Sequence, residues 1–325
     1  MPVAKPKRIL LIGDTGCRIK GKQVQACNDA ELWPFQAGAS IAALMKPDLV
    51  IDVGDYHYRE TECPAGNMGC AGSPFGDNWD TWRADFFIPA GNLLRTVPWA
   101  LVRGNHEECE RGGKGWARTM DPYAFDPAQG KSGCLGPQKP FAFDIGGITV
   151  VMLDVSTANE AKVDDKQAAY YAEQFKGIPS IAPQGDVWLA FHRPIWTTDG
   201  SVTAGLTGGD NKTLAAAAEG NIPATVQLLL SGHQHKFEVD AYEQDLPVAI
   251  ISGHGGDDYS PDAPNSPVGL VVNGKKIIAG FAKPRTYGFS MLERGDDEKW
   301  TVVDYDVKGT ALGRCAIDGR KVACQ

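Results

Sequence analysis

The chain has 325 residues, of which 43% are hydrophobic and 22% are charged. It can therefore bury a sizeable core, and its charged fraction excludes wholesale disorder. The formal net charge is −8 without a long basic stripe, which argues against a nucleic-acid partner and against an anionic membrane surface. Apolar runs such as 9–12 are too short to span a bilayer.

The cysteines and the N-terminus indicate where the protein resides. Four apolar residues, 9–12, are too few for a signal peptide, so either a leader has been removed or the protein is cytoplasmic. Eight cysteines without C-x-x-C spacing favour disulfides in an oxidising compartment, and we expect a periplasmic or secreted protein. The couples closest in sequence are Cys17/Cys27, Cys63/Cys70, Cys109/Cys134 and Cys315/Cys324, although sequence alone does not fix the connectivity.

Several short apolar runs are each followed by polar residues with metal-binding chemistry. Apolar runs of this kind, often closed by Gly, are typical of buried strands. In chain order, the runs and the residues after them are 8–13 with Asp14, 48–54 with Asp55, 99–104 with Asn105 and His106, 186–191 with His192, and 226–232 with His233 and His235.

Helical patterns separate several of these predicted strands. They cover residues 29–46, with Asp29 as the N-cap, and residues 78–95 and 164–176. Strand–helix–strand order predicts parallel pairing with right-handed crossovers. Ligands in such sheets bind beyond the carboxyl ends of the strands, so we expect the polar clusters to meet at one edge.

The remaining segments have different patterns. Residues 60–78, 107–140 and 255–285 are long and rich in Gly, Pro and Asp, which predicts functional lids or binding loops. The stretch 287–325 alternates like antiparallel strands and is expected to complete the sheets.

The C-terminal cysteines also test a predicted hairpin. A two-residue turn at Gly319-Arg320 would place Cys315 directly opposite Cys324, within disulfide reach. A turn at Asp318-Gly319 would instead place Cys324 opposite Gly313. The cysteine pairing therefore decides between the two turns.

The strand ends together supply two Asp, one Asn and at least three His side chains. Carboxylate oxygens and imidazole nitrogens suit Zn, Fe or Mn. The set is too large for one ion and is about right for two, and two metals about 3.5–4 Å apart form the usual clamp for attack on phosphorus. Two cations that close need a shared carboxylate, which an Asp in the middle of the set would supply.

In these motifs the sequence resembles the calcineurin-like metallophosphoesterase superfamily and, within it, the purple acid phosphatases. Five blocks occur in the family's order over residues 13 to 235. They are Gly13-Asp14-Thr15-Gly16, Gly54-Asp55-Tyr56-His57-Tyr58, Gly104-Asn105-His106-Glu107, His192, and Gly232-His233-Gln234-His235. In the second block, Tyr58 lies four residues after Gly54, and a Tyr at this position distinguishes the purple acid phosphatases. In the first block, Gly16 replaces the His that most other members of the superfamily carry.

The resemblance implies a role for each site residue. Asp14, Tyr58 and His235 would hold a ferric ion, and Asp55 would bridge it to a divalent Fe, Zn or Mn ion. The ligands of the divalent ion would be Asn105, His192 and His233. A metal-bound hydroxide would attack phosphorus, and His106 would face the phosphate and protonate the leaving group.

Several assignments have an alternative. His57 is a rival to Tyr58 as a ligand and a further candidate for contacting the phosphate, and Tyr58 could instead be a core aromatic. Arg193 could clamp the phosphate or pair with a carboxylate. His254 is interpreted as a hydrogen-bonded loop histidine, and Asp154 as a structural residue that could orient a metal-bound His.

The resemblance also implies an α/β fold in which two mixed β-sheets pack as a sandwich flanked by helices. We interpret residues 1–325 as a single catalytic domain that hydrolyses phosphate esters, with a small phosphorylated substrate and acid-phosphatase-like monoesterase activity. A phosphodiesterase on the same centre is the alternative. A non-catalytic metal- or phosphate-binding protein is a further alternative, against which His106 beside Asn105 argues.

Overall fold

The computed structural model describes residues 3–123, 125, 134, 136–199, 209, 211–260 and 263–325. Its main feature is a pair of large mixed sheets. One sheet has the strand order β17-β16-β15-β14-β1-β4-β5. Its strands are β1 (Arg8–Ile12), β4 (Leu49–Asp52), β5 (Trp99–Leu101), β14 (Gly288–Arg294), β15 (Trp300–Asp306), β16 (Ala311–Asp318) and β17 (Lys321–Cys324).

The other sheet has the order β12-β13-β10-β11-β9-β8-β7-β6. Its strands are β6 (Phe141–Asp144), β7 (Ile148–Met152), β8 (Asp186–Ala190), β9 (Val226–Ser231), β10 (Phe237–Tyr242), β11 (Val248–Ser252), β12 (Val271–Val272) and β13 (Lys275–Lys283). A separate two-stranded ribbon joins β2 (Ile19–Lys20) to β3 (Gln23–Val24).

The two large sheets pack face to face, and helices cover their outer faces. Buried residues from both sheets, including Leu11, Ile51, Leu230 and Ile250, form the core between them. The first sheet is covered by α1 (Phe35–Leu44), α2 (Trp79–Trp82), a π-helical turn (Arg83–Phe87), α3 (Gly91–Leu94) and α4 (Gly113–Thr119), and the second by α5 (Asp165–Ile181) and α6 (Lys212–Ala218). The expected sandwich of two mixed sheets with outer helices is confirmed.

Parallel pairing brings the predicted strand ends together. Strands β1, β4 and β5 are parallel neighbours in the first sheet, and β7, β8, β9 and β11 are parallel neighbours in the second. The loops after β1, β4, β5, β8 and β9 carry the five polar clusters. They converge on one edge of the sandwich, as the contacts below show, because parallel strands of one sheet share a carboxyl edge.

Two predicted helices have different bounds in the structure. The helix predicted over 29–46 begins only after Pro34, and Asp29 caps a separate turn by accepting the N–H groups of Glu31 and Leu32. A residue before Pro is disfavoured in the helical region, so the helix cannot run through Trp33. Residues 78–95 form three short helical pieces, although Asn78 does cap the first of them.

The segment 255–285 is not simply a loop. Val271–Val272 and Lys275–Lys283 form a hairpin around Asn273-Gly274, and both turn residues have positive φ (46° and 75°). Asn-Gly is the strongest short signal for such a turn. In 107–140, the 3₁₀ turn Asn105–Glu107 and α4 are ordered structure, while residues 124, 126–133 and 135 lie outside the described residues.

All eight cysteines are paired, in the four couples expected from their spacing. At the C-terminus, Cys315 lies opposite Cys324 and Asp318 opposite Lys321, so the hairpin turns at Gly319-Arg320. The Cα atoms of the two cysteines are 4.0 Å apart, as suits a facing pair without backbone hydrogen bonds. Disulfide bonds are typical of extracellular or secreted proteins. A search of the described helices finds none with the length and apolar character of a membrane span.

Candidate metal centre

The backbone at the strand ends is strained where the first ligand candidates stand. Asp14, Asp55 and His233 have positive φ values of 56°, 62° and 68°. A non-glycine residue held in this region costs on the order of 1–3 kcal/mol and is often found at functional sites. Close approach adds a second constraint, because a Cβ on Gly104 would lie 2.1 Å from an Asp55 carboxylate oxygen. The glycine in this motif therefore allows the loop after β5 to reach Asp55.

One half of the centre is built around Tyr58. Its hydroxyl lies 3.0 Å from Oδ1 of Asp14, 3.0 Å from Oδ2 of Asp55 and 3.3 Å from Nε2 of His235. The side chain is fully buried, and burial together with the two carboxylates raises the pKa of Tyr58 well above its usual value. The phenol O–H thus donates a hydrogen bond to a carboxylate. The structure brings Asp14, Tyr58 and His235 together, as a shared metal ion would require.

The His235 ring is fixed by the loop after β11. Its Nδ1 contacts the carbonyl oxygen of Asp258, and its Nε2 faces Asp14 at 3.4 Å and Asp257 at 3.5 Å. Burial would lower the pKa of His235, but Asp257 and Asp14 outweigh it and raise the pKa to about 9. This strongly negative environment is suited to a cation.

The other half contains His192, Asn105 and His233. Nε2 of His192 lies 3.0 Å from Oδ1 of Asn105 and 3.1 Å from Oδ2 of Asp55, while its Nδ1 lies 2.8 Å from the carbonyl oxygen of Val53. The ring centroids of His192 and His233 are 5.1 Å apart. Donor atoms of Asp55, His192 and His233 all lie within 4.8 Å of one another, a spacing that one metal ion can span.

Asp55 joins the two halves. One of its oxygens, Oδ2, contacts both the Tyr58 hydroxyl and Nε2 of His192, and the other accepts the backbone N–H of His106 at 2.8 Å. Two buried carboxylates, Asp14 and Asp55, meet at one phenol oxygen, an arrangement that positive charge would stabilise. The buried oxygen and nitrogen donors therefore fit a pair of cations of the Fe, Zn or Mn type.

His106 lies beside Asp55. Its ring packs 3.8 Å from the Tyr58 ring, centroid to centroid, and its Nε2 is 3.9 Å from Asp55. Its Nδ1 lies 2.9 Å from Glu60 and 2.7 Å from Arg111, which also pairs with Glu60. Burial is the main cause that lowers the pKa of His106 to about 4. Glu60 and Arg111 thus hold the ring so that Nε2 faces the cluster.

Glu107, the neighbour of His106, accepts hydrogen bonds from the backbone of two site loops. Its carboxylate accepts the N–H groups of Asp55 at 3.1 Å, Tyr56 at 2.9 Å and His57 at 3.1 Å, and also that of Gly104 at 3.0 Å. The last residue of the Gly-Asn-His-Glu block therefore fastens the loop after β4 to the loop after β5.

Two other candidates have partners outside the proposed ligand set. The His57 ring contacts the carbonyl oxygen of Gly76 through Nε2 at 3.1 Å and packs near Trp82, so the structure does not bring it to the cluster. The alternation of the chain explains this, because Tyr58 points into the site and its neighbour points away. Arg193 lies near the cluster but pairs with Glu160 at 2.8 Å, as the second of its two interpretations supposed.

The remaining candidates have structural partners. His254 is buried, and its Nε2 contacts Asp304 at 2.9 Å. Its Nδ1 has no hydrogen-bond partner among the described residues, so its interpretation as a hydrogen-bonded loop histidine applies to one ring nitrogen. Asp154 does not orient a histidine through any described contact. It instead accepts hydrogen bonds from Ser156 and from the backbone N–H of Gln138, and it lies 3.4 Å from Arg103.

Three carboxylates around the site were not predicted. Glu60 contacts His106, Asp257 contacts His235 and Glu160 contacts His233, and each also pairs with an arginine. The arginines are Arg111, Arg18 and Arg193 respectively. Asp257 could have been found by the strand-end rule, since it follows β11, and Glu60 by its place two residues after Tyr58.

The sandwich of two mixed sheets is consistent with the metallophosphoesterase fold. The profile of the calcineurin-like phosphoesterase family matches residues 7–237, and the chain belongs to this family. Comparison with curated protein sequences finds no significant match.

Solved structures with similar folds include three relatives of low identity. A purple acid phosphatase from yellow lupin (Lupinus luteus) seeds has a TM-score of 0.59 at 15% identity over 97% of this chain, which spans only 54% of the lupin chain. GAP50, the anchor in the inner membrane complex of Plasmodium, has a TM-score of 0.61 at 14% identity, covering 98% of this chain and 90% of its own. PhoD has a TM-score of 0.59 at 12% identity, covering 100% and 72%. These likenesses support the fold.

Proposed function

We propose that the chain is an acid-phosphatase-like phosphomonoesterase with a dinuclear centre of one ferric and one divalent ion. The observation that carries the proposal is the position of Asp55, whose single Oδ2 contacts Tyr58 on one side and His192 on the other. A shared carboxylate of this kind is what two adjacent cations need. The tyrosine in the cluster favours the purple acid phosphatases within the family, and the lupin phosphatase shares the fold.

The side chains would have separate roles in binding metal and in transferring a proton. Asp14, Tyr58 and His235 would hold the ferric ion, Asn105, His192 and His233 would hold the divalent ion, and Asp55 would serve both. Bound metals would polarise the phosphoryl oxygens and lower the pKa of a bound water. His106, with Nδ1 fixed by Glu60, would present Nε2 to the leaving-group oxygen and transfer a proton to it.

Diester hydrolysis is the second candidate, and one observation favours it. Three described arginines beside the cluster, Arg18, Arg111 and Arg193, are each paired with a carboxylate. Their charge is already matched, so they offer less to a dianionic monoester than free arginines would. A diester carries one negative charge fewer and would need less compensation.

Hydrolysis of p-nitrophenyl phosphate and bis(p-nitrophenyl) phosphate by metal-loaded protein separates these functions. We expect a higher kcat/KM for the monoester. A preference for the diester would move the assignment to a phosphodiesterase, whereas turnover of neither ester by protein with both metals bound would favour a non-catalytic binding protein. The Asp55→Ala variant serves as the blank for contaminating phosphatases.

We further propose that the chain acts as one catalytic domain in an oxidising compartment, periplasmic or extracellular. The strands after the last motif complete both sheets, and the four disulfides support export. Limited proteolysis that released a stable fragment would contradict the single domain. Free thiols in protein isolated from its own cell would contradict the compartment.

A further inference from the structure

The three histidines proposed as ligands are oriented in different ways. His192 and His235 each direct Nδ1 at a backbone carbonyl oxygen, that of Val53 and that of Asp258. His233 instead directs Nε2 at a side chain, the carboxylate of Glu160. A metal-bound histidine almost always donates its second ring N–H to such an acceptor, which fixes both tautomer and orientation.

Glu160 is held for this contact. Both of its oxygens lie 3.1 Å from Nε2 of His233, and Nη1 of Arg193 lies 2.8 Å from one of them. Arg193 is fixed in turn by donating from Nε to the carbonyl oxygen of Ser156 at 3.1 Å. Arg193, Glu160 and His233 therefore form a chain that ends at the cluster.

We propose that Glu160 is a positioning residue that selects the nitrogen through which His233 binds metal, an inference that rests on the proposed metal centre. A carboxylate acceptor requires the proton on Nε2, and the neutral ring then has its lone pair on Nδ1. Glu160 thus makes Nδ1 the ligand atom. Arg193 acts through Glu160 and is not required to touch the phosphate.

Side-chain substitution can change the contact that orients His233 but not those that orient His192 and His235. Backbone carbonyls that orient His192 and His235 cannot be removed by side-chain substitution, whereas the Glu160 carboxylate can. Its side chain is also 42% exposed, whereas the contact between His192 and the carbonyl oxygen of Val53 is buried. Of the two proposed metal ions, the one bound by His233 should therefore be held more weakly.

Zinc binding tests this proposal without relying on activity. The metal-free wild type, Glu160→Ala, Glu160→Gln and Glu173→Ala are titrated with Zn²⁺ against a competing chelator. Glu173 is the matched control, since its exposed carboxylate forms its described ion pair with Lys176 on the same helix, α5. Loss of an outer carboxylate typically weakens metal affinity 10–100-fold, so Glu160→Ala should weaken one of the two zinc sites by about that factor.

The conservative variant separates positioning from direct ligation. A glutamine oxygen still accepts the Nε2 proton, so Glu160→Gln should recover most of the affinity, and Glu173→Ala should match the wild type. Equal affinity in Glu160→Ala and the wild type would overturn the proposal. Equal loss in the Gln and Ala variants would overturn it as well, because it would make Glu160 a metal ligand. A wild type that binds fewer than two zinc ions would instead refute the metal centre itself.

Discussion

The two halves of the centre contain similar side chains but are held together differently. Asp14, Tyr58 and His235 contact one another directly at 3.0–3.4 Å, and Asp14 and Tyr58 are fully buried. In the other half, His192 contacts Asn105, whereas His233 is oriented by the half-exposed Glu160. A site whose donors already meet needs little rearrangement to bind an ion. We therefore expect the Tyr58 half to retain its ion while the His233 half exchanges.

The largest effect should follow from removing the bridge. Asp55→Ala deletes a carboxylate that contacts side chains of both halves, Tyr58 and His192, so we expect both metals and all turnover to be lost together, measured by elemental analysis and p-nitrophenol release. Asp52→Asn is the matched control. Asp52 is equally buried, but its described contacts lie outside the cluster, and burial raises its pKa well above its ordinary value, so asparagine mimics its protonated form. An Asp55→Ala protein that kept two metals would contradict the comparison.

Removing His106 should affect turnover without disturbing either half. General acid catalysis typically contributes 10²–10⁴-fold, so His106→Ala should lower kcat by about that factor, most strongly for alkyl phosphates with poor leaving groups. His57→Gln should have a small effect, because His57 contacts Gly76 and not the cluster. An unchanged kcat for His106→Ala on an alkyl phosphate would remove this residue from the mechanism.

Tyr58→Phe should damage one half and spare the other. If the phenolate binds ferric ion, the wild type is pink to purple through charge transfer, and the variant should lose this colour while its divalent ion remains. Tyr56→Phe is the control, since the Tyr56 hydroxyl contacts the carbonyl oxygen of Val102 at 2.8 Å. Visible absorption with elemental analysis measures both outcomes. Loss of colour in both variants would point to general damage.

The smallest effect on the centre should come from the C-terminal hairpin. Replacing Cys315 and Cys324 together by Ser opens a disulfide that closes a short loop, which should lower the free energy of unfolding by at most about 3 kcal/mol on chain-entropy grounds. Chemical denaturation measures the change, and metal content should stay at the wild-type value. Loss of metal would show that the hairpin and the cluster are coupled.

Local rules explain what could be predicted from the sequence. The strand ends located the ligand candidates, because an apolar run followed by Gly and a polar residue defines both a strand and its carboxyl edge. The hairpin pairing of Cys315 with Cys324 followed from the side-chain period of two and the turn length. Both inferences use residues close together in sequence.

Contacts between distant loops could not be predicted in this way. Glu160 and His233 are far apart in the sequence, and no local pattern joins them. The β12–β13 hairpin was predictable in principle from Asn273-Gly274, but the Gly- and Pro-rich composition of 255–285 concealed it. The helix predicted from residue 29 begins too early, because Pro34 interrupts the helical conformation despite the apolar spacing.

The most direct test is the metal content of the purified wild type, measured with its visible spectrum on one sample. We expect two metal ions per chain, one of them iron, in a pink to purple protein. Two zinc or two manganese ions in a colourless protein would contradict the ferric half built around Tyr58. One ion or none would contradict the bridged pair at Asp55.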